Sequence, residues 1–285
     1  MKLQRVSGRA FARIAEGDSI YDGWGANQGF LTTREGNMVV DTGFTARAAK
    51  GLLHDVRAKS SAPIRLVVNS HDHSDHVFGN SVFGKVSSCI VAHANCRSRL
   101  LELGRERIVG YRNFDTRLRS ALLGLRIHPA QLTYEDGMDF TLGETTVKLI
   151  HPKDGAHTTG DTMVLIPEEK VLFAGDVVWV DYHPNLEDAN IEGWIRALEA
   201  ISKMDVDYVV PGHGPVSDKS CVAPLARYLR DYDRRFRSLV RDGVPRQELA
   251  KELEIAGTDE WSLKMIVGRN VDALYERYRA SEPSR

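Results

Sequence analysis

Cysteine is scarce in this chain, with three among 285 residues and no C-x-x-C pair. The odd count argues against a disulfide framework, and free thiols fit a reducing compartment. No apolar run approaches the roughly 20 residues that a membrane-spanning helix needs. A net charge of −1 supplies no general attraction for nucleic acid or for lipid headgroups. Neither an internal repeat nor a low-complexity segment is present. The N-terminal stretch carries positive charge but no apolar run, because Arg9 and Arg13 interrupt it, so it does not read as a secretion signal. The expectation is a cytoplasmic protein with no membrane or nucleic-acid partner, acting on a small molecule.

Histidine is concentrated. Three of the ten histidines fall in His71-Asp72-His73-Ser74-Asp75-His76, an H-x-H-x-D-H pattern. Isolated histidines usually serve as core or surface residues, but this spacing would arise by chance in about one such chain in a thousand. Imidazole nitrogen and carboxylate oxygen suit borderline divalent metals such as zinc. The spacing fits a strand end running into a tight loop, with His71 and His73 on one metal and Asp75 and His76 turned toward a second.

Further donors follow apolar runs and sit beside glycine. His157 comes after His151-Pro152, Asp176 ends Val171-Leu172-Phe173-Ala174-Gly175, and His213 lies in Pro211-Gly212-His213-Gly214. Each alone has an ordinary explanation as a cap or turn residue, but after the first cluster they read together as one site.

Hydrophobic spacing predicts a hairpin from Asn27–Thr32 and Asn37–Asp41, a helix over Ala46–Lys59, and a buried strand over Ile64–Asn69 that delivers the cluster. Further strands are predicted at Ile90–Ala92, Thr146–Ile150, Thr162–Ile166, Val171–Ala174 and Tyr208–Val210. Helix is expected over Asn95–Leu125, Ile191–Lys203 and most of the last seventy residues, with a break at Gly243-Val244-Pro245. The class is α/β, layered, with helices outside and functional groups on loops at one sheet edge. We divide the chain into a catalytic domain over residues 1–218 and a helical extension packed on it over residues 219–285.

These motifs resemble the metallo-β-lactamase superfamily in order and separation, with Val39-Val40-Asp41-Thr42-Gly43 similar to its early strand and turn. The resemblance implies an αββα four-layer sandwich with a glyoxalase II-like ligand set. His71, His73 and His157 would hold one ion, and Asp75, His76 and His213 the other. Asp176 would bridge both, and Asp41 would orient the histidine loop. It implies two Zn2+ per chain, with manganese or iron as alternatives.

Two such ions would lower the pKa of a bridging water from about 16 to roughly 7, giving a hydroxide that cleaves a thioester, ester or lactone. Asp75 is placed to hold that nucleophile and take its proton. His73 disfavours the diiron flavoproteins of the fold, which resemble H-x-E-x-D-H. A carboxylate at Asp176, and Trp179 where some β-lactamases carry lysine, leave β-lactam hydrolysis at most a side activity. The alternatives are a mononuclear iron sulfur dioxygenase that oxidises persulfides, and a metal-bearing sensor that is not an enzyme.

Trp179, Tyr182 and His183 follow the bridging Asp and are expected as pocket wall, with Tyr21 and Trp24 on an overhanging loop. Arg97 to Arg126 holds eight arginines against three acids. They either solvate helix faces or form a lid in which Arg112, Arg117 and Arg119 meet an anionic substrate. Apolar stripes near Leu225–Tyr232 and Trp261–Tyr275 suit core or a homodimer surface.

Overall fold

Strands with apolar side chains on both faces must be covered twice, and that requirement builds this fold. The computed structural model describes residues 1–281. Its first sheet contains β1 (Lys2–Arg5), β2 (Ala10–Ile14), β3 (Gln28–Thr32), β4 (Asn37–Val40), β5 (Ile64–Val68), β6 (Ser87–His93) and β7 (Leu132–Tyr134), in that order. β1 to β4 form an antiparallel meander, and β4 to β7 run parallel. The second sheet contains β8 (Gly137–Leu142), β9 (Thr145–Ile150), β10 (Met163–Ile166), β11 (Val171–Trp179) and β12 (Tyr208–His213). It is antiparallel except for the β11–β12 pair.

The two-residue period of a strand sorts the side chains between layers. Ala10, Ala12, Leu31, Met38 and Val40 meet Val147, Leu149, Val164, Val171 and Phe173 between the sheets. Their neighbours Phe11, Phe30 and Val39 face the other way, onto Ala49, Leu52 and Val56 of α1 (Ala46–Lys59). Thr45 starts that helix by accepting a hydrogen bond from the Ala48 amide at 3.1 Å. Two short helices, α2 (Ser74–Val77) and α3 (Asn80–Phe83), precede β6, and α4 (Ala94–Phe114) and α5 (Thr116–Ala121) follow it. Beyond the second sheet, Leu172, Ala174 and Val178 pack with Trp194 and Leu198 of α6 (Ile191–Ser202) and with Leu225 and Leu229 of α7 (Val222–Arg241). The same cluster includes Leu249 of α8 (Arg246–Glu252) and Leu274 of α9 (Ile266–Ser281). The layers are helix, sheet, sheet, helix, with an added C-terminal helical segment. Burying a side chain such as Phe30 or Leu198 contributes about 1.5–3 kcal/mol.

The predicted hairpin, α1, β5 and α6 lie where spacing placed them. β1, β2, β7 and β8 lie outside the predicted strands, because alternation over a few residues is a weak signal. The C-terminal region is less helical than expected: residues 253–265 contain no helix, and this coil carries Leu263 to the site. Among the described residues no helix is long and apolar enough to cross a membrane.

Candidate metal centre

Asp41, His71 and His213 lie at or just beyond the C-terminal ends of β4, β5 and β12, on one edge of the sandwich. Asp41 adopts a left-handed φ of 58°, a conformation that Asp tolerates better than most side chains. Its carboxylate accepts from the Ser70 amide (2.8 Å), the Ser70 hydroxyl (2.6 Å) and His76 Nδ1 (2.8 Å). His73 is the N-cap of α2, whose single turn presents Asp75 and His76. Gly175 has a φ of 52°, at a bulge in β11 that delivers Asp176. A Cβ on Gly212 would lie 1.9 Å from Asp176 Oδ1, so only glycine allows β12 to pass there.

The structure brings all seven candidate ligands together in two groups. His71, His73, His157 and Asp176 form one, and Asp75, His76 and His213 the other. Within each, one donor atom per residue lies within 4.8 Å of the rest. Asp176 stands between them. Its Oδ2 is 3.6 Å from His71 Nε2, 3.3 Å from His157 Nε2 and 3.4 Å from His213 Nε2, while its Oδ1 is 3.0 Å from His76 Nε2. Asp75 Oδ2 is 3.6 Å from His76 Nε2 and 3.5 Å from His213 Nε2.

The outward nitrogen of every ring has a partner that sets its tautomer. His157 Nδ1 donates to the Asn185 carbonyl (3.1 Å) and His213 Nδ1 to the Trp24 carbonyl (3.0 Å). His76 Nδ1 donates to Asp41 and His73 Nε2 to Asp188 (3.0 Å). The Ser70 hydroxyl spends its proton on Asp41, so it accepts from His71 Nδ1 at 3.0 Å. Five lone pairs therefore point inward: Nε2 of His71, His76, His157 and His213, and Nδ1 of His73.

With these tautomers, His73 Nδ1 and His157 Nε2 confront each other at 2.9 Å with no proton between them. Buried Nε2 atoms of His71 and His213 have no hydrogen-bond partner, and His76 Nε2 faces Asp176 Oδ1 at 3.0 Å. Acceptors facing acceptors in a dry site call for cations, and the donor set fits divalent ions that take nitrogen and oxygen.

The titration pattern agrees. Burial pushes His71 well below its ordinary value and His157 down to about 3. Burial acts on His76 in the same sense, but Asp176, Asp75 and Asp41 overcome it and hold that ring well above its usual range. Burial would raise Asp176, yet the surrounding histidines, His76 first, keep it well below the usual carboxylate range. Without metal, a proton on His76 supplies part of the missing positive charge.

A cavity of about 170 Å3 opens onto Asp75, Asp176 and His213. Its apolar wall comes from Trp24, Tyr111, Trp179, Leu263 and Ile266, and its charges from Arg107, Glu187 and Arg269. Trp179 lines this cavity, stacks on His213 at 3.8 Å and donates to the Asp176 carbonyl at 2.8 Å. His183 does not. It is bonded to the Tyr228 hydroxyl at 3.1 Å and packs against Trp261 in the helical layer. Tyr182 does not line this cavity either, since its ring sits against Gly25.

The lid arginines are also reassigned. Arg112 donates to the carbonyls of Leu122 and Leu125, Arg119 to that of Arg112, and Arg117 stacks on Tyr21. The segment's charge instead reaches inward through Arg99 and Arg107, which pair with the fully buried Asp72. Asp72 sits at a variable position of the histidine motif, which assigns it no role. Asp188 and Asn185 gave no local signal at all.

A fold and donor set of this kind place two His/Asp groups that could hold metal ions at the edge of an αββα sandwich. The metallo-beta-lactamase superfamily model matches residues 21–213, and the chain belongs to that superfamily. Its relatives include the human acyl-coenzyme A thioesterase MBLAC2, 28% identical over 66% of this chain and 72% of that protein. The linear primary-alkylsulfatase of a Pseudomonas strain is 26% identical over 69% of this chain, and the match spans 43% of its length. A beta-lactamase-like protein 2 homolog from Caenorhabditis elegans is 22% identical over 89% of this chain and 78% of its own. Among solved structures, a metallo-beta-lactamase from Pontibacter korlensis superposes with a TM-score of 0.65 at 20% identity, over 80% of this chain and 98% of that one.

Proposed function

We propose that the protein is a dinuclear zinc hydrolase that cleaves a thioester, ester or lactone of a small anionic molecule. The observation that carries this reading is the convergence of five histidine lone pairs on two carboxylates, with every outward ring nitrogen already committed. Two divalent cations held there would make hydroxide available near neutral pH and polarise the bond under attack. Asp75 borders the cavity, so its carboxylate can orient the attacking water and take its proton. Trp179, Tyr111, Leu263 and Ile266 exclude bulk water and receive the apolar part of an acyl group. At the cavity wall Arg107 is paired with Asp72 and Arg269 with Glu187, and Arg269 would meet an anionic portion by exchanging that partner. The human thioesterase relative favours the thioester over the other bonds.

A mononuclear iron dioxygenase of this fold would use similar ligands with a single ion, so metal identity and count separate the two readings. Elemental analysis of protein purified without added metal, followed by assays on short acyl-coenzyme A thioesters, aryl esters, lactones and sulfate esters, tests the reading. We expect about two zinc per chain and thioester cleavage that is lost in Asp75→Asn. One iron per chain with oxygen uptake on a persulfide refutes it.

A further inference from the structure

The loop between β11 and α6 reaches the first donor group twice. The Asn185 carbonyl accepts from His157 Nδ1 at 3.1 Å, and Asp188 Oδ2 accepts from His73 Nε2 at 3.0 Å. Arg99 pairs with Asp188 at 2.8 Å, but most of what holds residues 184–189 comes from the far end of the chain. Asn270, fully buried in α9, accepts from the Leu186 amide at 2.7 Å and donates to the Pro184 carbonyl at 2.9 Å. Arg269 pairs with Glu187 at 2.9 Å, and Arg277 donates to the Ala189 carbonyl at 3.1 Å.

The carbonyl of Asn185 and the amide of Leu186 belong to one peptide unit. That unit is planar and rigid, so its two ends turn together: the N–H held by Asn270 fixes the direction of the C=O that holds His157. An amide side chain suits the position, because one end must accept while the other donates. The second donor group is oriented through different elements, His213 by Trp24 and His76 by Asp41.

We propose that Asn270 is a positioning residue for the cation site of His71, His73 and His157, acting through the Asn185–Leu186 peptide, and that it leaves the other site alone. This rests on the two-cation reading above.

The test is zinc titration of chelator-stripped protein against a competing indicator, with thermal unfolding measured in parallel. Wild type should bind two ions. In Asn270→Ala one of the two affinities should fall about 10- to 100-fold, the range typical for loss of a group that orients a ligand, and the other should stay within about twofold. In a His157→Gln background, Asn270→Ala should have little further effect, because the ring it orients is gone. Leu249→Ala, a buried truncation in α8, which packs on α9, controls for loss of stability. It should lower the unfolding temperature without separating the two affinities. Two ions in wild type with both affinities unchanged in Asn270→Ala, or lowered equally as the helix loosens, overturns the role of Asn270 alone. Fewer than two ions in wild type overturns the two-cation reading and the Asn270 role with it.

Discussion

Replacing Asp41 by Asn changes one atom in a carboxylate that directs protons on two ligands. Asp41 Oδ1 accepts from the Ser70 amide, while Oδ2 accepts from the Ser70 hydroxyl and from His76 Nδ1. An Asn whose oxygen keeps the Ser70 amide turns its NH2 toward the other two groups. The hydroxyl then accepts rather than donates, so its own proton turns to His71 Nδ1. His76 Nδ1 must accept as well. Both rings would carry their proton on Nε2, facing the ion each is meant to bind. The flipped amide avoids this but sets NH2 against the Ser70 N–H, a buried donor clash that costs about 1–3 kcal/mol.

In the first orientation both proposed cation sites lose a ring nitrogen, and loss of such an orienting carboxylate typically weakens affinity 10- to 100-fold, or about 1.4–2.7 kcal/mol. Asn tolerates the left-handed φ as Asp does, so backbone strain does not confuse the result. Zinc competition on Asp41→Asn, checked by unfolding of the metal-free protein, measures the effect. Wild-type affinity at both sites, within twofold, would refute the proton-direction argument.

Gly212→Ala places a methyl 1.9 Å from Asp176 Oδ1 and should abolish stoichiometric metal loading, read by elemental analysis. The pH dependence follows from rings raised in the metal-free fold. His76 is raised by its acidic neighbours and His73, against its burial, by Asp188. Their protonation stabilises the metal-free fold below the unfolded value near 6.5, and that contribution is lost as pH rises through the folded values. Metal must displace those protons, so the rise in unfolding temperature on adding zinc should shrink from pH 8 to pH 6; a constant increment refutes this. Removing charge at Arg112, Arg117 or Arg119 should leave KM for an anionic thioester unchanged, whereas Arg269→Gln should raise it severalfold. A raised KM in Arg119→Gln would restore the lid.

The seven candidate donors were legible in the sequence because four share the H-x-H-x-D-H cluster and the others, His157, Asp176 and His213, sit beside or after apolar runs, which are local signals. The layered architecture was legible for the same reason: Val-Val and Leu-Phe-Ala runs announce strands buried on both faces. What stayed hidden depends on contacts distant in the chain. His73 meets Asp188 across 115 positions and His213 meets the Trp24 carbonyl across 189, and no periodicity links such pairs. His183 followed a ligand segment in sequence yet turned into the helical layer, because chain proximity does not set side-chain direction after a strand ends. The basic run around α4 showed its charge but not its purpose, which was to neutralise Asp72 from within. The sequence by itself determined which atoms can bind a cation and the order in which strands present them. Only the tertiary structure decided which nitrogen of each ring points inward, since that follows from hydrogen-bond partners supplied by elements that meet only in the fold.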